Sequence, residues 1–308
     1  MLAFEMDPDF RQGDDHSGAS ATFPTVCEYN SRVSLPPESA MPLAAASAAS
    51  SAAQLLRSEN GGIVTLTLNR PQQFNALSSS LIDVLQQEID SIAADSSVRV
   101  VVIAGAGRAF CAGHDLKEMR AERDPKFAED VFARCSRLML TLTRIPQPVI
   151  ARVHAFAFAA GCQLVAQCDL AVAATTAQFA TSGVKFGLFC STPGVALARN
   201  VSRKEAMEML LTGEPIDAAT ALQRGLVNRV VDPDALEAET DRLAQSIIEK
   251  TPIAIAAGKR AFYEQVDAPL AQAYESATQA MVCNLMSEDA AEGIDAFAAK
   301  RKPVWKGR

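Results

Sequence analysis

The sequence predicts an α/β core followed by a helical C-terminal region, and three observations carry that expectation. Short apolar runs of strand character at 63–68, 98–104 and 148–153 are interleaved with segments of helical spacing. Small-residue loops follow two of these runs and open into helices. Beyond Lys204 the apolar spacing is helical throughout.

In chain order, Val64, Leu66 and Leu68 alternate with Thr65 and Thr67, the period of a half-buried strand that stops at Asn69-Arg-Pro. Leu81, Leu85, Ile89 and Ile92 then recur on one helical face, with Asp83, Gln86, Gln87 and Asp90 on the other. The run 98–104 is β-branched and short enough for a buried strand. A strand is expected at 148–153, a helix at 161–168 and a strand at 170–173; helices are expected around 207–211, 218–222, 236–248, 253–262 and 270–286. The core thus spans 54–250, and 251–308 is a helical region suited to oligomerisation.

Residues 1–53 are rich in Ser, Ala, Pro and Asp, with only Ala and Ser at 44–53, and are expected to form a flexible extension. Before Met41 there are seven acidic residues against two arginines, the reverse of a mitochondrial transit peptide, and no secretory signal pattern; a cytoplasmic location is expected, with a mitochondrial one as the alternative for a eukaryotic source and Met41 as an alternative start.

Of the 308 residues 49% are hydrophobic and 21% charged, enough apolar residue for a sizeable core. The net charge of −7 argues against nucleic acid as a partner, which needs a clustered excess of Lys and Arg. No apolar run reaches the roughly 20 residues of a membrane span, so no membrane insertion is expected. The seven cysteines are scattered without a CxxC spacing and the only histidines are His16, His114 and His154, so a reducing compartment and no metal site are expected.

Two loops are candidates for chemistry: Gly105-Ala-Gly-Arg-Ala-Phe-Cys-Ala-Gly-His-Asp-Leu and Ala157-Phe-Ala-Ala-Gly-Cys-Gln-Leu. Backbone N–H groups at a helix start lack intrahelical partners and can donate to a ligand oxygen. From spacing alone, two tight strand-to-helix turns and two loops converging on one oxygen both stand.

The order of motifs decides between them. Leu68-Asn-Arg-Pro with Phe74-Asn-Ala-Leu, Ala109-Phe-Cys-Ala-Gly-His-Asp-Leu-Lys, Ala159-Ala-Gly-Cys-Gln-Leu with Cys168-Asp-Leu-Ala-Val-Ala, Pro193-Gly and Met209-Leu-Leu-Thr-Gly-Glu-Pro-Ile resemble, in sequence order, the enoyl-CoA hydratase/isomerase (crotonase) superfamily. The resemblance runs from Asn60 to Arg308, and one subgroup shares Gly187-Leu-Phe-Cys-Ser-Thr-Pro-Gly and the ending Lys300-Arg-Lys-Pro-Val-Trp. It implies a crotonase-like ββα spiral core, assembly as a homotrimer or hexamer, and an acyl-CoA thioester as ligand, with coenzyme A part of the substrate and no separate cofactor. It further implies that the thioester oxygen sits between the N–H groups of His114 and Ala160, where an enolate would be stabilised; Ala160 serves only if its backbone does not require a positive φ.

By the same resemblance the two hydratase glutamates fall on Gln163 and Gly183, neither of which can act as acid or base. Asp115 is expected to cap a helix rather than catalyse, and His154 to be a buried, satisfied histidine. The imidazole of His114 is a further candidate, and Ser191, with Cys190 and Thr192, is placed beside the pocket. Asn75, Ala76 and Leu77, with the main chain at Ala112, His114, Asp115, Leu116 and Lys117, are implied to flank adenine and pantetheine. Lys117 either meets a phosphate or is solvated; Phe297, Lys300 and Lys302 either reach the coenzyme of a neighbouring subunit or form a basic tail. The implied function is an acyl-CoA enzyme of fatty-acid metabolism, nominally a hydratase or isomerase with altered activity. A catalytically inactive acyl-CoA-binding or regulatory protein, and a hydrolase or decarboxylase, are the alternatives.

Overall fold

The computed structural model describes residues 53–308, so the expectations for the extension, Met41, Cys27 and His16 lie outside the described residues, Ala53 excepted. The turn at Gly61 and Gly62, both at positive φ, closes a hairpin between β1 (Leu55–Asn60) and β2 (Ile63–Leu68). After a 3-10 turn at Pro71–Gln73 come α1 (Ser79–Ala93), β3 (Val100–Gly105), β4 (Ala109–Cys111), α2 (Leu116–Ala121) and α3 (Pro125–Arg144). Next are β5 (Val149–Val153), β6 (Phe156–Phe158), α4 (Ala160–Gln167), β7 (Leu170–Ala174), β8 (Gln178–Ala180), a 3-10 helix at Ser182–Phe186 and α5 (Ser191–Leu197). The chain ends with α6 (Arg203–Thr212), β9 (Ile216–Asp217), α7 (Ala218–Gln223), β10 (Arg229–Val231), α8 (Leu236–Ile248), α9 (Pro252–Gln265), α10 (Leu270–Leu285) and α11 (Glu288–Ala298).

Each spiral turn puts a long strand in one sheet and a short strand in another. The larger sheet runs β1-β2-β3-β5-β7-β10, parallel except for the β1/β2 hairpin; the smaller runs β4-β6-β8-β9, with β4, β6 and β8 parallel. The ββα spiral expected from the sequence is therefore present. Alternation along β3 explains its wholly apolar sequence. Val101 and Ile103 enter the core shared with α1, α3 and α4, whereas Val100 and Val102 pack against Leu236, Leu243 and Ala244 of α8.

Two expectations need correction, and one helix falls where none is expected. The stretch after Lys204 is not wholly helical, since β9 and β10 each join a sheet through two or three residues, too few to show a period. The loop expected around residue 157 contains β6, and β1, β4 and β8 are likewise strands that no apolar period marks. Helix α3, 20 residues long and capped by Asp124 ahead of Pro125, adds a helical layer between the second and third spiral turns.

Candidate functional site

Strands β4, β6 and β8 end side by side, and ligands in parallel sheets favour such carboxyl ends. The residues just past each strand decide what the edge offers. Past β4, Leu77 N–H donates to the Gly113 carbonyl (2.8 Å) and Asp115 N–H to the Leu77 carbonyl (3.1 Å), a parallel bridge centred on Leu77 and His114. That geometry turns the His114 N–H away from Leu77, and it donates to no acceptor among the described residues. Past β6, Ala160 opens α4, so its N–H has no intrahelical acceptor and none among the described residues.

The two loops touch at Gly113, whose φ is 103°. A Cβ there would lie 2.9 Å from Ala159 Cβ, 3.1 Å from the Phe158 carbonyl and 3.3 Å from Ala160 N. Only glycine lets the backbone before His114 come this close to the start of α4. Gly161 does the same one layer deeper, where a Cβ would stand 2.1 Å from the Cys111 carbonyl oxygen. The condition on Ala160 is met, because the positive φ falls one residue earlier: Ala159 sits at φ 48°, ψ −117°, a glycine-favouring conformation occupied by alanine.

Side chains fasten the first loop from behind. Asn75, wholly buried, donates through Nδ2 to the Ala106 and Ala109 carbonyls (both 2.8 Å) and accepts from Arg70 N–H at 2.9 Å. Asp115 caps α2 by accepting from Lys117 and Glu118 N–H groups, as expected, and also pairs with Arg70 Nη2 at 2.9 Å. Glu118 in turn accepts from Ser79 N–H at the start of α1 (2.9 Å). Burial pushes the Asp115 carboxyl up, but Arg70 and the two backbone donors outweigh it and hold it below the usual range. Asn75 and Leu77, expected to flank the coenzyme, therefore have buried side chains committed to the protein. Arg70, Glu118 and Ala159 escaped the sequence reading because their partners lie far along the chain or in the backbone.

The two positions onto which the resemblance maps the hydratase glutamates, Gln163 and Gly183, carry no titratable group. Gln163 is 5% exposed, and its Oε1 has no hydrogen-bond partner among the described residues. Thr181, the first residue past β8 and wholly buried, has an equally unpartnered Oγ1. Both ring nitrogens of His114 are buried without a hydrogen bond, the ring standing edge-on to Phe132 with centroids 5.2 Å apart. Burial pushes the His114 imidazole below its ordinary pKa, with the charge of Glu118 opposing, so it is neutral at pH 7. At Gly183 a Cβ would lie 2.6 Å from the Leu188 carbonyl oxygen and 2.7 Å from Cys190 Sγ, which accepts from Gly183 N–H at 3.2 Å. The thiol fills the space a side chain at 183 would need.

His154 is half-buried rather than buried, with its ring nitrogen on the Gly107 carbonyl at 2.9 Å. Ser191 is exposed and its hydroxyl faces the Phe189 carbonyl at 3.5 Å; no histidine or carboxylate bonds to it among the described residues. Ala76 is buried, Ala112 half-buried, and Leu116 and Lys117 are exposed. Phe297 is 87% exposed and Lys300 exposed at φ 52°, both on the surface of the single chain. Among the described residues no cluster of three or more His, Cys, Asp or Glu is placed to hold a metal, and no helix is long and apolar enough to cross a membrane.

Two sheets wound into a ββα spiral define a protein class. The chain belongs to the enoyl-CoA hydratase/isomerase family, the crotonase superfamily, whose profile matches residues 58–308. Within it, the chain is 49% identical over 244 residues to enoyl-CoA hydratase domain-containing protein 3, mitochondrial, of Xenopus laevis, covering 79% of this chain and 83% of that protein. The crystal structure of the human protein of the same name superposes with a TM-score of 0.80 at 46% identity, covering 82% of this chain and all of that one. An enoyl-CoA hydratase structure from Mycobacterium smegmatis gives a TM-score of 0.81 at 55% identity over 82% of this chain and 98% of that one.

Proposed function

We propose that this chain binds an acyl thioester of coenzyme A with the thioester oxygen between the N–H groups of His114 and Ala160, polarising the carbonyl toward an enolate. The observation that carries the reading is that both N–H groups lack acceptors among the described residues, at the touching ends of β4 and β6. Donors aimed at a developing oxyanion are each worth about 10²–10³ in rate. A placed acid or base adds about 10²–10⁴, and here both are missing: Gln163 can orient a water but not deprotonate it, and Gly183 offers no group. The reaction of the relatives named enoyl-CoA hydratase is thus reduced to its carbonyl-activating half, a lyase-type enzyme of fatty-acid metabolism with altered or weak activity.

Calorimetry with butyryl-CoA and crotonyl-CoA, with free coenzyme A as reference, tests the binding. Saturable binding of both thioesters, lost in a folded Gly113→Ala variant whose methyl crowds Ala160 N, is the expected result. No binding of any thioester would sink the reading. Hydration of crotonyl-CoA at least about 10²-fold below that of a relative with both glutamates is expected. Release of free thiol or CO₂ from a suitable thioester would instead assign the hydrolase or decarboxylase variant.

A second reading, an acyl-CoA-binding or regulatory protein without turnover, is favoured by Gly183, where Leu188 and Cys190 leave no room for a carboxylate. Turnover above background that is lost in Gly113→Ala would exclude it. Assembly into trimers or hexamers, and a cytoplasmic location argued from the acidic residues before Met41, belong to the same proposal. Relatives are named mitochondrial, and a fluorescent fusion of the full chain separates the two compartments.

A further inference from the structure

One wholly buried carboxylate takes no part in the candidate site: Asp289, in the first turn of α11. It accepts from Lys306 N–H at 2.6 Å, from Gly307 N–H at 3.0 Å and from the Thr251 hydroxyl, and its own N–H donates to the Arg308 carbonyl at 3.1 Å. The chain reaches this point by reversing direction. Lys300, at φ 52°, closes α11 in a Schellman turn, with Lys300 N–H on the Phe297 carbonyl and Arg301 N–H on the Ala296 carbonyl. Residues 301–308 then run back along α11 as a strap. Glu292 accepts from Arg301 and from Val304 N–H, and Glu288 pairs with Lys306 and Arg308.

The tip of the strap lands on the joint between α8 and α9, whose three residues are each held from elsewhere in the chain. Trp305 Nε1 donates to the Glu249 carbonyl and Arg99 Nη2 to the Lys250 carbonyl (both 2.8 Å), while Asp289 takes the hydroxyl of Thr251, the residue that caps α9. Trp305 also packs on Gly293, where a Cβ would lie 3.3 Å from its ring. Without the strap the Glu249 carbonyl loses its indole donor, and Asp289 keeps only the Thr251 hydroxyl. Little apolar burial fastens the arm formed by α9, α10 and α11: Asp289 excepted, no side chain larger than alanine is buried in these helices on the single chain. Segments with so little buried apolar surface open at low cost.

We propose that residues 301–308 form an electrostatic latch on the α8–α9 joint, whose release loosens α9–α11 as a unit while the spiral stays folded. The centre of the latch is a set of hydrogen bonds to a buried carboxylate; its rim is a row of exposed ion pairs, which salt screens. The latch thereby decides where the exposed Tyr274, Met281 and Val282 of α10 stand relative to the spiral.

Hydrogen exchange of the full chain, read by mass spectrometry with peptides of β3, β5 and β7 as internal reference, tests the latch. In Asp289→Ala the Lys306 and Gly307 N–H groups and the Thr251 hydroxyl lose their acceptor. Amides of α9–α11 should then exchange about tenfold or more faster at unchanged reference rates. Trp305→Phe keeps a ring on Gly293 but removes the bond to Glu249, and should show the same selectivity at smaller size. The wild-type chain gives a third reading. Raising NaCl from about 0.1 M to about 1 M shortens the screening length from about 10 to about 3 Å, and should speed the arm about threefold relative to the reference. Exchange that rises equally in arm and spiral, or that leaves the arm at its low-salt wild-type rate, overturns the latch. Because the salt reading needs no variant, it decides even if Asp289→Ala fails to fold.

Discussion

Asn75 supports the candidate site from inside the protein. Its amide holds two carbonyls of the Gly105–Ala109 turn and one N–H of the Arg70 turn, all inside the protein. Asn75→Ala strands these groups, and with about 1–3 kcal/mol for a buried group left unpaired, a loss of roughly 3 kcal/mol is expected in urea denaturation. Ala159→Gly should act oppositely, because glycine relieves the positive φ; net of the greater freedom of its unfolded chain, a gain of about 1 kcal/mol is expected in the same assay. His114 gives a pH signature. Its folded-state pKa is lowered, so the unfolded chain binds the extra proton, and stability should fall as pH drops below the ordinary histidine value of 6.5. His114→Phe should flatten that part of the stability profile. At this scale the resemblance marks Gln163 and Gly183, but the sequence does not show why a side chain cannot simply be placed at 183. That reason is Cys190 Sγ and the Leu188 carbonyl, which only the folded loop brings against it.

Elements with enough length to show a period were legible. The stripe Leu81, Leu85, Ile89 and Ile92 is buried in α1, and β2, β3, β5 and β7 fall where alternation or β-branched runs put them. The smaller sheet was not, because its strands have two or three residues and their burial comes from neighbours rather than from their own alternation. Yet this sheet carries the site. Its geometry at β4 depends on Glu118 of α2, which accepts from Ser79 at the start of α1, and on Asp115, which caps α2 and pairs with Arg70. Asp115 is the acid-sensitive member of that joint. With its pKa lowered, its contribution is present above the unfolded carboxylate value of 3.8 and lost as pH falls through the folded one. Asp115→Asn should therefore narrow the stability gap between neutral and acid pH, as followed by thermal melts across that range.

The molecule as a whole is held to its C-terminal helices by a buried polar knot. Lys259 of α9 donates to the Leu142 and Gln147 carbonyls (2.7 and 2.9 Å) and to Asp169 (2.6 Å), while Tyr263 and Val149 N–H donate to the same carboxylate. Burial lowers the Lys259 pKa, with Asp169 opposing. Lys259→Met breaks the pair from one side and should cost about 3–5 kcal/mol, detached α9 showing as earlier proteolysis. Leu270, Tyr274, Met281 and Val282 on α10 stand more than half exposed on the single chain, an apolar surface that association would cover. Light scattering should find three or six chains per particle; a stable monomer would contradict the expected assembly. The sequence announced these helices by their spacing, but not the knot, whose members are set 90 residues apart. That separation has a consequence for synthesis. A chain leaving the ribosome at about 5–20 residues per second exposes Asp169 for roughly 5–20 seconds before Lys259 emerges to meet it. The spiral must wait with this seam open, and a nascent-chain chaperone would find its opportunity there.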